Sequence, residues 1–188
     1  MKKIYFTRHG QTVWNVENKI CGVTDIELTA KGHEQAKELG KLIAERCYGI
    51  DEIIYSPLIR AADTARRISE ITNIPMREEP RLKEQCFGKF EGTPRNGEEF
   101  LKAKGHFLDS YEGGESMMKL AQRIYNLLDE LKEDDKTYLL VAHNGISRVI
   151  KSYFYDMQNE EYARFGIDNC QILEFELYSN ALRFSDNI

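Results

Sequence analysis

The sequence predicts an α/β fold: a three-layer α/β/α arrangement with a mostly parallel central sheet and a C-terminal hairpin. Two patterns lead there. Three short apolar runs, Lys3–Thr7, Glu52–Tyr55 and Thr137–Ala142, are each followed by helical periodicity, and strands alternating with helices favour parallel pairing. The tail, "QILEFELYSNALRFSD", then alternates apolar and polar residues around Ser179-Asn180, which predicts a β-hairpin at one side of the sheet.

The elements follow in order. Ile4, Tyr5 and Phe6 make the first buried strand. The segment "LTAKGHEQAKELGKLIAERC" sets Ala36, Leu39, Leu42 and Ile43 on one helical face, with Thr29 as N-cap. After the second strand, "SPLIRAADTARRISEI" predicts a helix with Ser56 as N-cap and Pro57 first, where no N–H is needed. The next helix, "SMMKLAQRIYNLLDELKED", starts after Gly113-Gly114 at Ser116. It carries Met117, Leu120, Ile124, Leu127, Leu128 and Leu131 as a stripe. The third strand leads into a helix after Gly145 through Val149, Ile150 and Phe154. Residues 84–114 fit neither period and hold Phe87, Phe90, Phe100, Phe107 and Tyr111. A stretch that long in a compact domain is often functional. It reads as an insertion, partly helical over 98–104, that covers the site as a lid on a single domain spanning 1–188.

Composition narrows the function. A chain of 188 residues buries roughly 70% of its unfolded surface, enough for a substantial core. Its net charge is -5, which argues against general nucleic-acid binding, since that rests on clustered cations. Cys21, Cys47, Cys86 and Cys170 lie far apart with no C-x-x-C pair, so they read as reduced thiols of a cytoplasmic protein rather than a metal or redox site. Lys2-Lys3 precedes only three apolar residues, well short of the roughly 7–15 of a secretory signal. No run approaches the ~18 apolar residues of a membrane helix. Monomer and homodimer both remain open.

The polar residues collect where strands stop. Arg8-His9 ends the first strand, Arg60 lies one turn into the helix after the second, and His143-Asn144-Gly145 ends the third. Open α/β sheets bind ligands outside the carboxyl ends of their strands. Parallel strands therefore bring Arg8, His9, Arg60 and His143 to one edge. Guanidinium forks match phosphate oxygens, and helix N-termini near Ser56 and Gly145 are placed to add inward N–H groups. A neutral imidazole is a competent nucleophile. His33, beside Glu34, reads as part of a solvated helical face. His106 falls in the lid, where a substrate contact stays open.

At this point larger blocks become legible. "TRHGQTVWNVENKICGVTDIELTAKGHEQA" resembles the signature of the histidine phosphatase superfamily, the phosphoglycerate mutase-like family. "YSPLIRAADTA", "RLKEQCFGKFEG", "VAHNGISRVI" and "DNCQI" resemble its later blocks, so the likeness runs from Lys3 to about Ile172. The resemblance implies that His9 is the nucleophile, carried as a phosphohistidine. Arg8, Arg60 and His143 would hold the phosphoryl oxygens. Glu84 would protonate the leaving oxygen and then activate water. Asn15 would line the phosphate pocket, together with Thr12 and the backbone at Cys21-Gly22. No metal and no cofactor are implied. Only the block register selects Glu84 over Glu78, Glu79 and Glu91, and it makes Glu91 a structural partner. Asn144 departs from the pattern, standing where the family's phosphatases usually carry Gly, either as a donor near the phosphate or as a helix cap.

The start of the chain, with "WNVENKICG", looks close to the mutases, but cofactor-dependent mutases are typically longer and their acid block differs from "LKEQCFGKFEG". The resemblance therefore favours the phosphatase branch: a metal-independent phosphomonoester hydrolase acting on a small phosphorylated metabolite, with no nucleic-acid or membrane partner. A phosphoglycerate mutase is the alternative, and a non-catalytic phospho-ligand binding module a further one. Lys83, Lys89, Arg95, Lys102 and Lys104 of the lid stand among several Phe, a mixture that suits a sugar phosphate, a phosphoglycerate, a nucleotide or a ribazole phosphate alike, and since a lysine-rich loop is usually solvated they select no substrate.

Overall fold

In the computed structural model, residues 2–177 are described. Five strands, β1 (Lys2–Arg8), β2 (Glu52–Tyr55), β3 (Met76–Glu78), β4 (Tyr138–Ala142) and β5 (Ile172–Leu177), form one sheet in the order β3-β2-β4-β1-β5. The first four run parallel to their neighbours, and β5 lies antiparallel on the β1 edge. The helices are α1 (Val13–Val16), α2 (Ala30–Arg46), α3 (Ile59–Thr72), α4 (Glu98–Ala103), α5 (Met117–Leu131), α6 (Asn144–Phe154) and α7 (Asn159–Arg164).

Side-chain alternation on the strands sorts these helices into two layers. Ile4, Phe6 and Leu140 pack with Leu120 and Ile124 of α5 and with Val149 and Ile150 of α6. Tyr5, Ile53, Leu139 and Val141 pack with Leu39 and Ile43 of α2 and with Ala61, Ala65 and Ile68 of α3. Strand β4 is buried on both faces, as a central parallel strand must be. Each such aliphatic side chain stabilises the fold by about 1.5–3 kcal/mol. The aromatic run of segment 84–114 builds a third, smaller core in which Phe90, Phe100 and Tyr111 pack with Ile20.

Several expectations change. Helix α3 starts at Ile59 with Leu58 as N-cap and no side-chain cap. Asp25 of the preceding loop accepts from Ile59 N instead, at 2.7 Å. The Ser56 hydroxyl accepts only from Leu58 N, at 3.4 Å, and reaches His143 as well. Strand β3 and helices α1 and α7 carried too few residues to show a period. The first arm of the expected hairpin is β5; its turn and second arm lie outside the described residues.

Candidate active site

Register builds the site. Arg8 pairs with Ala142, and Tyr55 pairs with Val141, so the residues after β1, β4 and β2 emerge level with one another. His9 N donates to Ala142 O at 3.0 Å, and Ser56 N to Val141 O at 3.0 Å. The rings of His9 and His143 stand 5.2 Å apart between centroids. The chain then leaves His9 through Gly10, where an added Cβ would sit 2.3 Å from Gly32 O of α2. Only glycine permits that backbone-to-backbone approach.

His9 is buried, and its Nδ1 is 2.7 Å from Gly10 O. A carbonyl can only accept, so Nδ1 carries the proton and Nε2 keeps its lone pair. Burial, then the charges of Arg60 and Arg8, hold His9 well below the usual 6.5. His143 is lowered in the same way, by burial first and then by Arg60 and His9. Its Nε2 meets Ser56 Oγ at 2.7 Å. Arg60 is fully buried and donates to Thr24 O at 2.9 Å and Gly22 O at 2.6 Å. Arg8 donates to Ile167 O at 2.8 Å, and burial lowers its guanidinium to about 10, so it stays charged at neutral pH.

Among the described residues, four buried side-chain nitrogens lack a partner: Arg8 Nε, Arg60 Nε, His143 Nδ1 and His33 Nδ1. Three of the four belong to this cluster. Each such group costs about 1–3 kcal/mol when left unpaired, so their concentration marks a place shaped for acceptor oxygens.

Glu84 reaches the site from the start of segment 84–114. It is buried, its Oε2 accepts from Gly145 N at 2.8 Å, and its Oε1 accepts from Gln85 N at 2.9 Å. The first turn of α6 thus serves the carboxylate. Arg123 of α5 braces the segment, donating to Arg81 O and to Glu84 O, while two bonds of 2.8 Å tie it to Glu115. Glu91 is saturated instead. It accepts from Gly22 N, Val23 N, Thr24 N, Thr24 Oγ1 and Phe87 N at 2.7–3.3 Å.

These contacts settle the places of the remaining expected residues. The Gly22 amide is taken by Glu91, so the Cys21-Gly22 backbone supports Arg60 through Gly22 O rather than presenting that N–H to a ligand. Cys21 itself lines a cavity beside Glu84, and burial raises its thiol. Thr12 is buried as the cap of α1, in a reciprocal box with Asn15. Asn15 Oδ1 accepts from Thr12 N at 3.1 Å and Asn169 Nδ2 at 3.2 Å, and Asn169 also donates to His9 O at 2.8 Å. Asn169 is a site residue to which sequence reasoning gave no role; it stands in a loop without periodicity.

Asn144 neither caps α6 through its side chain nor points Oδ1 at the site, because Oδ1 accepts from Ile167 N at 2.9 Å. It braces the loop that holds Arg8. The helix start near Ser56 gives its first amide to Asp25, and that near Gly145 gives its amide to Glu84. His106 is exposed and paired with Asp109 at 3.1 Å. His33 is half-buried rather than solvated, opposite Arg67 and Glu70.

Beside Glu84 opens a cavity of about 130 Å³. Ile20, Phe87, Phe100 and Leu101 line it together with Arg95, Lys104 and Arg148. Arg95 and Lys104, whose role the sequence left open, therefore face this space.

The site and fold identify the class. Residues 4–186 match the histidine phosphatase superfamily (branch 1), and the chain belongs to that family. Among its relatives is the 2,3-bisphosphoglycerate-dependent phosphoglycerate mutase 2 of Gloeobacter violaceus. It is 31% identical, over 94% of this chain and 86% of the relative. The phosphatase PhoE of Bacillus subtilis is 35% identical over 77% of this chain and 73% of its own. A similar solved structure is the phosphoserine phosphatase of Entamoeba histolytica in complex with 3-phosphoglyceric acid. The identity there is 30%, the TM-score 0.80, and the match covers 94% of this chain and 91% of that one. The mycobacterial glucosyl-3-phosphoglycerate phosphatase in complex with VO3 matches at 26% identity and TM-score 0.80, over 93% and 92%.

Proposed function

We propose that the protein is a metal-independent phosphomonoester hydrolase that works through a phosphohistidine on His9 and acts on a small phosphorylated metabolite. The observation that carries this reading is the set of buried nitrogens without a partner, Arg8 Nε, Arg60 Nε and His143 Nδ1, around a neutral imidazole whose proton sits on Nδ1. In the first step the Nε2 lone pair forms a bond to phosphorus while the bond to the leaving oxygen breaks. Glu84 gives that oxygen its proton. In the second step water attacks phosphorus, Glu84 takes the water's proton, and His9 leaves with its lone pair restored. The guanidiniums and His143 hold the phosphoryl oxygens through both transfers and supply fixed positive charge where negative charge develops. Asn15 offers its amide N–H₂ to the same anion, since its Oδ1 is occupied.

Hydrolysis of p-nitrophenyl phosphate, insensitive to EDTA and abolished by His9→Ala, is the expected result. Acid quench of a radiolabelled phosphoester turnover should trap acid-labile label on wild-type protein and none on the variant. The relative named as a mutase supports a second reading. Stoichiometric interconversion of phosphoglycerates with a bisphosphoglycerate primer, and almost no released phosphate, would move the protein to that branch. Inertness towards every ester, with tight phosphate binding retained, would make it a binding module.

A further inference from the structure

The two imidazoles of the site stand 5.2 Å apart, yet they must present opposite chemistry to one phosphoryl group. His9 needs a lone pair turned inward. His143 needs a proton there, because a deprotonated phosphoryl oxygen only accepts. For His9 the carbonyl of Gly10 makes that choice, at 2.7 Å from Nδ1. No carbonyl does so for His143. Among the described residues its ring has one hydrogen-bonding neighbour, Ser56 Oγ, at 2.7 Å from Nε2. Its Nδ1 is buried without a partner, like Arg8 Nε and Arg60 Nε.

Ser56 is fully buried, and its hydroxyl meets only two groups. One is Leu58 N at 3.4 Å, and a backbone N–H can only donate. The hydroxyl proton therefore has one acceptor, His143 Nε2. A neutral ring that accepts at Nε2 carries its own proton on Nδ1. Burial, then the charge of Arg60, keeps the ring neutral. The opposite tautomer would leave the serine proton without an acceptor and turn a second lone pair towards the anion. Both faults are costly in a buried site. The sheet fixes the serine itself. Ser56 N donates to Val141 O at 3.0 Å, and Tyr55 stands in register with Val141. Pro57 then holds Ser56 in extended backbone. Hydroxyl and imidazole thus meet from the ends of β2 and β4, 87 residues apart in the chain.

We propose that Ser56 is a positioning residue for phosphoryl transfer: its hydroxyl donates to His143 Nε2 and so holds that ring in the tautomer that turns Nδ1–H towards the phosphoryl oxygens. The role rests on the hydrolase reading and deepens it. Ser56 touches no reacting atom and acts through His143.

Nitrogen-15 spectra of the histidine rings, taken at neutral pH in phosphate-free buffer, read the tautomer on wild-type protein. The His143 signals are identified by their loss in His143→Asn. A protonated Nδ1 and a bare Nε2 are expected; a protonated Nε2 with a bare Nδ1 overturns the proposal, whether or not any Ser56 variant folds. Ser56→Ala removes one oxygen. It should bring up the Nε2–H tautomer and lower kcat/KM about 10–10²-fold, the scale of one misplaced buried hydrogen bond. The loss should be equal on p-nitrophenyl phosphate and propyl phosphate, since the hydroxyl serves the phosphoryl group and not the leaving oxygen. An unchanged His143 tautomer in Ser56→Ala, an unchanged kcat/KM, or a loss confined to propyl phosphate overturns the proposal while the hydrolase reading stands. Absence of all turnover by wild-type protein overturns the hydrolase reading instead. The spectra still report the tautomer, and calorimetric Kd values for inorganic phosphate replace kcat/KM: Ser56→Ala should bind about tenfold more weakly, and equal binding overturns the proposal.

Discussion

Two carboxylates seven residues apart in segment 84–114, Glu84 buried and Glu91 half-buried, live in opposite surroundings. Glu91 accepts five hydrogen bonds from loop 22–24 and from Phe87, and so spends its oxygens on fixing backbone. Glu84 accepts two, from Gly145 and Gln85, and borders an open cavity. A carboxylate whose acceptor sites are all filled can only hold structure, whereas one with capacity left over can exchange a proton. The residue type is the same, and the difference lies in how many donors the fold aims at it.

The sharpest way to break this comparison is Glu84→Gln. On alkyl phosphates, whose leaving oxygen needs a proton, kcat should fall about 10²–10⁴-fold; on p-nitrophenyl phosphate the loss should be far smaller. Equal losses on both substrates would remove Glu84 from acid catalysis. Gly145→Ala comes next. An added Cβ would sit 2.4 Å from Glu84 Oε1, so the carboxylate must shift. Misplacement of about 1 Å costs on the order of 10²-fold, again mainly with alkyl esters.

Glu91→Gln should act on stability instead. It puts an amide where the carboxylate accepted, and leaving backbone donors of loop 22–24 without their acceptor costs about 1–3 kcal/mol. Urea denaturation should show the loss on a variant that still discriminates leaving groups as wild type does. Acid sensitivity comes last, with no loss of activity at neutral pH. His9 and His143 are held neutral in the fold, well below 6.5, whereas in the unfolded chain they titrate near their ordinary value. Protons therefore bind the unfolded chain first as pH falls through 6.5, and stability is lost on acidification. The slope from each ring is at most about 1.4 kcal/mol per pH unit. Thermal midpoints between pH 7 and 5 in phosphate-free buffer should show it, with a shallower slope in His143→Asn.

What the sequence made readable was the part that depends on strand ends. The apolar runs at β1, β2 and β4 place Arg8, His9 and His143 by topology, and the structure brings Arg60 to them. Glu84 was legible only through its block register, because its environment depends on Gly145, sixty-one residues later. The cavity cations were not legible as a group. Lys104 and Arg95 look like any lid cations until α6 and the loop after α7 close the space around them. Ser56 was misread for a related reason. A serine ahead of a helix is a good cap by propensity, yet Asp25 reaches that amide from another loop and leaves the hydroxyl to His143.

The first strand has a consequence for biosynthesis. Both neighbours of β1 lie far along the chain: Phe6 is flanked by Leu140 and by Leu173. During translation the segment bearing His9 waits with both edges unpaired until β4 and then β5 have emerged. Such distant closure slows folding and leaves an apolar ribbon open to rival chains. Competence to handle phosphate thus arrives late, and a truncated product would hold the histidine without the cradle that makes it reactive.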